Sequence, residues 1–212
     1  MNLKCNEQVF FELLRAGLEK EARLSMFATI DLKEVYHIAE EQAVIGLVAA
    51  GLEHVTDVKV HKEDVLLFVG SALQLEHRNT AMNEFVARLI EQLRAAEVYA
   101  ILVKGQGIAQ CYHRPLWRAS GDVDLLLDAA DYEKAKKLLI PLATDVETEY
   151  SHFKHLGMTL DGWMVELHGT QHSRLSKRVD GMIDSVQKDV FYGGNVRPWV
   201  NGGVTVFFSR TG

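Results

Sequence analysis

The chain contains the segment Gly121-Asp122-Val123-Asp124-Leu125-Leu126-Leu127, in which two carboxylates one residue apart lead into an apolar run. Because alternate residues of a strand point to the same face, we expect Asp122 and Asp124 to project together while Val123 turns into the core. Two like charges held side by side raise each other's free energy, and a divalent cation between them is the usual remedy. The segment therefore predicts a strand that begins with a metal site. The alternative reading is a strand end with solvated acids, since this spacing is common by chance.

Composition and charge bound the class of protein. A length of 212 residues with 48% hydrophobic and 25% charged residues suits one or two globular domains. The net charge of −6 (23 basic against 29 acidic residues) argues against duplex nucleic acid as a partner. Two distant cysteines, Cys5 and Cys111, suggest neither a metal motif nor a disulfide framework, so we expect a reducing cytoplasm. No signal peptide is predicted, and no apolar run approaches the ~20 residues of a membrane helix.

The first half of the chain has helical periodicity. Apolar residues recur at spacings of three and four from Val9 to Leu18, again from Asp31, a plausible N-cap, and over a long stretch from about 62 to 96. The segment from Val44 to Leu52 is apolar nearly all round, which indicates a buried helix. Residues 1–95 are therefore predicted to form a helical module of about four helices.

The periodicity changes near residue 97. Residues 98–103 form a short β-rich apolar run that ends at Lys104-Gly105, and we expect a buried strand there. Gly105 and Gly107 permit a tight turn and a close approach to a ligand, and a short helix is predicted from Ile108 to Tyr112. Backbone N–H groups at that helix start, beside Lys104, would form an anion site.

A third acid is expected on a later strand. Residues 152–160 are predicted to form a strand, Asp161-Gly162 is a typical hairpin turn, and residues 163–168 form the returning strand. On that strand Glu166 and His168 share one face. A lone glutamate on a strand otherwise suited to burial is costly unless it is paired or bound to a cation, so Glu166 is the natural third member of the acidic set.

These features together resemble the nucleotidyltransferase superfamily typified by DNA polymerase beta. More narrowly, Leu102-Val103-Lys104-Gly105, residues 118–126 (RASGDVDLL) and Val165-Glu166-Leu167-His168 resemble the core motifs of an uncharacterised bacterial nucleotidyltransferase-like family. The resemblance covers about residues 60–208. It implies an α+β fold, in which the helical module precedes a mixed β-sheet with flanking helices, and a catalytic core over residues 96–212. It also implies that a C-terminal helical part of the larger family is missing here.

The resemblance implies an activity. Mg²⁺ (or Mn²⁺) would be bound by Asp122, Asp124 and Glu166, which would also be the catalytic residues. A nucleoside monophosphate would pass from an NTP, by expectation ATP, to a hydroxyl of a small molecule or protein. The resemblance also suggests nucleotide-binding residues, namely Lys104, Gly105, Gln106, Arg118 and His168. For Arg118 a salt bridge to one of the aspartates competes with a phosphate contact, and for His168 a core position competes with a site position.

Departures from the superfamily pattern leave other functions open. Gln106 stands where most of the superfamily has serine, the spacing from Gly105 to Asp122 is a few residues longer, and the third acid is Glu rather than Asp. A catalytically inactive binding module or partner protein is the alternative. A metal-dependent phosphodiesterase ranks last, because such enzymes need more histidine ligands near the acids than His168 supplies.

Overall fold

The protein is described by a computed structural model covering residues 5–19, 21–149, 155–169 and 176–209. Its contacts divide the chain into two compact units. The first unit comprises the chain up to residue 80 together with 112–119, and the second comprises 81–111 and the chain from 120 onward. The functional division of the sequence into 1–95 and 96–212 stays a prediction.

The first unit is helical. It contains α1 (Cys5–Glu19), α2 (Leu32–Glu41), α3 (Ile45–Leu52) and the first part of α4 (Lys62–Ala95). Asp31 caps α2 as expected, since its carboxylate accepts the backbone N–H groups of Lys33 and Glu34. The predicted all-round burial of α3 is confirmed, and its side chains pack with the inner faces of the other helices in one apolar core.

Residues 112–119 lie in the sequence between the two parts of the second unit, but they belong to the first unit. The buried amide of Asn79 donates to the backbone carbonyls of Leu116 and Arg118 at 2.7 and 2.8 Å. The Trp117 indole N–H donates to Glu76 at 2.9 Å. This short segment, and Arg118 with it, is therefore held by side chains of α4.

The second unit contains a mixed sheet of seven strands in the order β3-β4-β5-β2-β1-β7-β6. The strands are β1 (Ala100–Val103), β2 (Asp122–Leu127), β3 (Asp145–Val146), β4 (His155–Leu160), β5 (Trp163–His168), β6 (Val196–Asn201) and β7 (Val204–Ser209). Strand β2 runs antiparallel to β1 and parallel to β5. The α+β class and the order of a helical region followed by a mixed sheet are confirmed.

One face of this sheet is apolar and the other carries the acids. Val123, Leu125 and Leu167 point into the main core, against the second part of α4 and against α6 (Ala129–Leu139). The opposite face carries Asp122, Asp124 and Glu166 beside a smaller apolar cluster that includes Val190 of α7 (Lys177–Tyr192). Alternation along β2 and β5 thus places the acidic side chains on one face of the sheet and the core side chains on the other, as expected from strand geometry.

Some local details differ from the predictions or fall outside the described residues. The short helix after β1, α5, spans Gly105–Ala109 and so begins three residues before the predicted Ile108. Strands β3 and β6 were not predicted; both lie at the edges of the sheet. Residues 152–154 of the predicted strand lie outside the described residues. Within the described ranges, no helix is both long and apolar enough to cross a membrane.

Candidate active site

The two parallel strands β2 and β5 bring three carboxylates to one face of the sheet. Asp124 is the register partner of Glu166, and Asp122 lies two residues before Asp124 on the same face. One ligand oxygen from each of Asp122, Asp124 and Glu166 lies within 4.8 Å of the others. The expected grouping of the three acids is therefore present, while their role as metal ligands stays a prediction.

Asp124 is the centre of the group. Its side chain is 0% exposed. One oxygen, Oδ1, accepts a hydrogen bond from Lys104 Nζ at 2.6 Å and lies 2.9 Å from His168 Nε2. Burial raises the pKa of Asp124, but hydrogen bonds from His168 and Lys104 and their charges outweigh burial and hold this pKa below its usual value. Asp124 is therefore a buried carboxylate kept in its charged form.

The surroundings of the second oxygen of Asp124 indicate whether the three acids suit a cation. Oδ2 is buried and has no hydrogen-bond partner in the described part of the chain. An ionised oxygen buried in this way is costly without a donor or a cation. The carboxylates of Asp122, Asp124 and Glu166 together make an all-oxygen donor set, which is the kind that Mg²⁺ and Mn²⁺ prefer. The residues present therefore fit a hard divalent cation.

Lys104 reaches this site from a strained turn. Its backbone has φ +54° and ψ −145°, a region that favours glycine, and Gly105 follows with φ +29°. The turn joins β1 directly to α5 and carries the Lys104 side chain to the carboxylates. Partial burial lowers the pKa of Lys104, but the Asp124 hydrogen bond and the charges of the three acids raise it above its usual value.

Gln106 turns away from the site. Its side chain is 1% exposed, and its amide donates to the sulfur of Met82 at 3.1 Å. The predicted role of Gln106 in nucleotide binding stays a prediction.

Two histidines complete the acidic face. His168 shares its face with Glu166 as predicted and contacts Asp124. His155, which the sequence reasoning did not single out, is the register partner of His168 across the hairpin. The two imidazole rings stack with centroids 4.8 Å apart and an interplanar angle of 6°. Both Nε2 atoms lie 3.3 Å from Glu166 Oε2.

The position of His155 opposite His168 could have been predicted from the sequence. In a hairpin with a two-residue turn, residues equally distant from the turn are paired. With Asp161-Gly162 as that turn, His155 and His168 each stand six residues away, and the observed register agrees. The second histidine at the acids was therefore predictable from the turn.

Arg118 belongs to the first unit. Its guanidinium Nη1 donates to the carbonyl of Ala119 at 3.2 Å. The phosphate contact and the competing salt bridge to an aspartate both stay predictions for this residue.

Comparison with known proteins gives one match. The model of a family described as an uncharacterised nucleotidyltransferase matches residues 28–196, which is most of the chain. Neither the curated proteins nor the solved structures gave a match.

Proposed function

The chain belongs to the family of uncharacterised nucleotidyltransferases, and we propose that it moves a nucleoside monophosphate from a metal-bound NTP to a hydroxyl acceptor. The observation that carries the proposal is that Asp122, Asp124 and Glu166 bring ligand oxygens within 4.8 Å of one another, at an aspartate whose buried Oδ2 has no hydrogen-bond partner in the described part of the chain. ATP is the proposed donor, and the acceptor is a small molecule or a protein. The net charge of −6 makes duplex nucleic acid a poor acceptor.

Each acid has a proposed role. Asp122 and Asp124 would hold Mg²⁺ or Mn²⁺ with the triphosphate, and Glu166 would complete the ligand set and help to activate the attacking hydroxyl. When bound, such cations polarise the phosphoryl oxygens and make a hydroxyl nucleophilic near neutral pH. Burial of Asp124 strengthens the attraction of its charge for a cation, because little water screens it.

Neighbouring residues would orient the nucleotide. Lys104 offers a positive charge at the carboxylates, and its side chain is 55% exposed, so it can be shared with a phosphate. Gly105 has no side chain to obstruct the backbone of the β1–α5 turn. His168 keeps Asp124 oriented by its 2.9 Å contact. Arg118 is kept as a candidate phosphate contact on its sequence motif alone.

A second candidate, a catalytically inactive binding module, is favoured by two observations. The Lys104 ammonium lies 2.6 Å from Asp124 Oδ1, and it neutralises the carboxylate without any metal. Gln106 stands at the position of the superfamily serine, and its buried side chain also favours a binding module. In this case the fold is kept, and a partner is bound without transfer.

Calorimetry with a non-hydrolysable ATP analogue tests the proposal. We expect binding by the natural chain only with Mg²⁺, and a loss of at least about tenfold in Asp122→Asn. The matched control is Asp161→Asn, an exposed aspartate of the same unit in the hairpin turn, where asparagine is tolerated. Absence of Mg²⁺-dependent binding in the natural chain would refute the proposal. Binding without transfer of label from an α-labelled NTP to any acceptor would favour the binding module.

A further inference from the structure

We propose that His155, Glu166 and His168 form a binding site for a late divalent transition ion such as Zn²⁺ or Co²⁺, beside the hard-cation position of Asp122 and Asp124. The three ligand atoms lie within 4.8 Å of one another, and the Nε2 atoms of both imidazoles lie 3.3 Å from the same oxygen, Glu166 Oε2. The inference rests on the two imidazoles and stands apart from the transfer reaction.

The spacing of the ligand atoms suits a tetrahedral ion. The two separations of 3.3 Å from Nε2 to Glu166 Oε2 exceed the ordinary length of an N–H···O hydrogen bond. Zinc–nitrogen and zinc–oxygen bonds of about 2.0–2.2 Å at tetrahedral angles place two ligand atoms about 3.4 Å apart. The observed distances are thus close to those of two ligands on one ion.

The donor types select a different cation from that of the aspartates. Imidazole nitrogen binds Zn²⁺, Co²⁺ and their neighbours well, whereas Mg²⁺ requires oxygen ligands. Two imidazoles and one carboxylate are also the protein ligands of known zinc sites that keep an open fourth position. We therefore assign two cation preferences to two neighbouring positions that share Glu166.

The hairpin holds the ligands and leaves one of them adjustable. Backbone pairing of β4 with β5 sets His155 opposite His168, and the rings lie parallel. The lone pairs of parallel stacked rings cannot both point at one ion, so one ring must turn about its Cβ–Cγ bond. His155 has the more exposed side chain, 29% against 12% for His168. His155 is therefore the ring that moves.

Sharing of Glu166 couples the two positions. An ion held by the two histidines withdraws Glu166 from the acidic set, and its bond to His168 Nε2 replaces the contact of that nitrogen with Asp124 Oδ1. Occupancy of this site is therefore expected to weaken Mg²⁺ binding at the acids.

The test is calorimetric titration with Zn²⁺ and no nucleotide. The natural chain should bind one ion tightly, and His155→Ala and His168→Ala should each lose at least about tenfold in affinity. The Zn²⁺ affinity of Asp122→Asn should remain within about twofold of that of the natural chain. The control is His77→Ala, at an exposed position of α4, with the same expectation. Zn²⁺ should also raise the melting temperature of the natural chain, and less so that of His155→Ala.

Two outcomes would overturn the proposal. The first is equal Zn²⁺ affinity in His155→Ala, in His155→Asn (a second variant that preserves a polar side chain) and in the natural chain. The second is loss of Zn²⁺ binding in Asp122→Asn, which would place the ion at the aspartates. Circular dichroism identifies any variant that fails to fold, and the remaining histidine variant then decides. Failure of Mg²⁺-dependent nucleotide binding with intact Zn²⁺ binding would refute the proposed function and leave this inference standing.

Discussion

Lys104 Nζ lies 2.6 Å from Asp124 Oδ1, so an ammonium already neutralises the carboxylate at the centre of the three acids. A metal ion at these acids must share Asp124 with this lysine or displace it. The other oxygen, Oδ2, is the one that the described residues leave without a hydrogen bond. Lys104 is therefore both a candidate phosphate contact and an internal competitor of the metal.

Replacing Lys104 with glutamine should strengthen metal binding in the absence of nucleotide. Removal of the competing ammonium is expected to raise Mn²⁺ affinity about tenfold, equivalent to ~1.4 kcal/mol. Affinity for the nucleotide should fall in the same variant, because a positive charge is lost. Metal titration followed by electron paramagnetic resonance measures the first effect. Unchanged or weaker Mn²⁺ binding would contradict the competition.

The backbone of Lys104 predicts a stability difference between two variants. Lys104→Ala and Lys104→Gly both remove the ammonium, but only glycine relieves the positive φ of +54°. Such strain costs about 1–3 kcal/mol of stability, which glycine would recover. Glycine also makes the unfolded chain more flexible, which lowers stability by about 0.5–1 kcal/mol relative to alanine. Lys104→Gly should therefore be more stable than Lys104→Ala by about 1 kcal/mol in urea unfolding. An alanine variant of equal or greater stability would mean that the turn is unstrained.

In the first unit, Gly17 of α1 and Gly51 of α3 allow these two helices to approach closely. A Cβ at Gly51 would collide with the backbone carbonyl of Leu13, whereas a Cβ at Gly70 of α4 would meet nothing within 4 Å. Gly51→Ala should therefore cost at least about 2 kcal/mol despite the better helix propensity of alanine. Gly70→Ala, the matched control, should gain about 0.5–1 kcal/mol. Similar shifts of the two urea midpoints would rule out the close approach.

Asp57 should make the first unit sensitive to acid. Hydrogen bonds from the Ser25 backbone and side chain, with a further one from the Leu24 backbone, lower the pKa of Asp57 from 3.8 to about 2. A lowered pKa adds stability that is fully present above the unfolded value and is lost as pH falls through the folded value. Stability should therefore decline between about pH 4 and about pH 2.

The variant Asp57→Asn isolates this effect. It should melt at a lower temperature than the natural chain at neutral pH, and the gap should close towards pH 2, because protonation neutralises Asp57 in both states. Glu41→Gln, at an exposed carboxylate of the same unit, serves as control and should show no closing gap. A gap that stays constant with pH would show that the charge of Asp57 contributes nothing.

Strand alternation and the hairpin turn made the acidic face predictable. The turn residues Asp161 and Gly162 both have positive φ, +50° and +80°, as expected for the short hairpin turn that the Asp-Gly pair favours. That turn sets the register of β4 with β5, and parallel pairing of β2 with β5 then sets Glu166 beside Asp124. Strand alternation and the turn are local features that the sequence records directly, whereas the pairing of β2 with β5 is a long-range contact.

Gln106 shows why the phosphate side was less predictable. A polar residue between two glycines after a strand is expected to face a ligand. Because α5 begins at Gly105 rather than Ile108, the Gln106 side chain instead meets Met82, 24 residues away in sequence. The earlier helix start changes the backbone conformation of residues 105–107 and with it the direction of the Gln106 side chain, and helix boundaries are the least predictable part of a helix.

Other features depend on tertiary structure alone. Asn79 holds Leu116 and Arg118 by hydrogen bonds to backbone carbonyls, and such contacts leave no periodic trace in a sequence. Strand β6 carries Arg197 and Pro198 at the edge of the sheet, where proline and charge are tolerated and the apolar alternation is weak.

We propose that Asp122, Asp124 and Glu166 hold the divalent cation of a nucleotidyltransferase. Crystals soaked with Mn²⁺ and a non-hydrolysable ATP analogue test this assignment, since anomalous scattering locates manganese independently of the protein. We expect a manganese peak in contact with Asp122, with Asp124 Oδ2 and with a phosphate oxygen, and Glu166 as a further ligand. Bound nucleotide with no manganese at these carboxylates, and Lys104 still paired with Asp124, would contradict it.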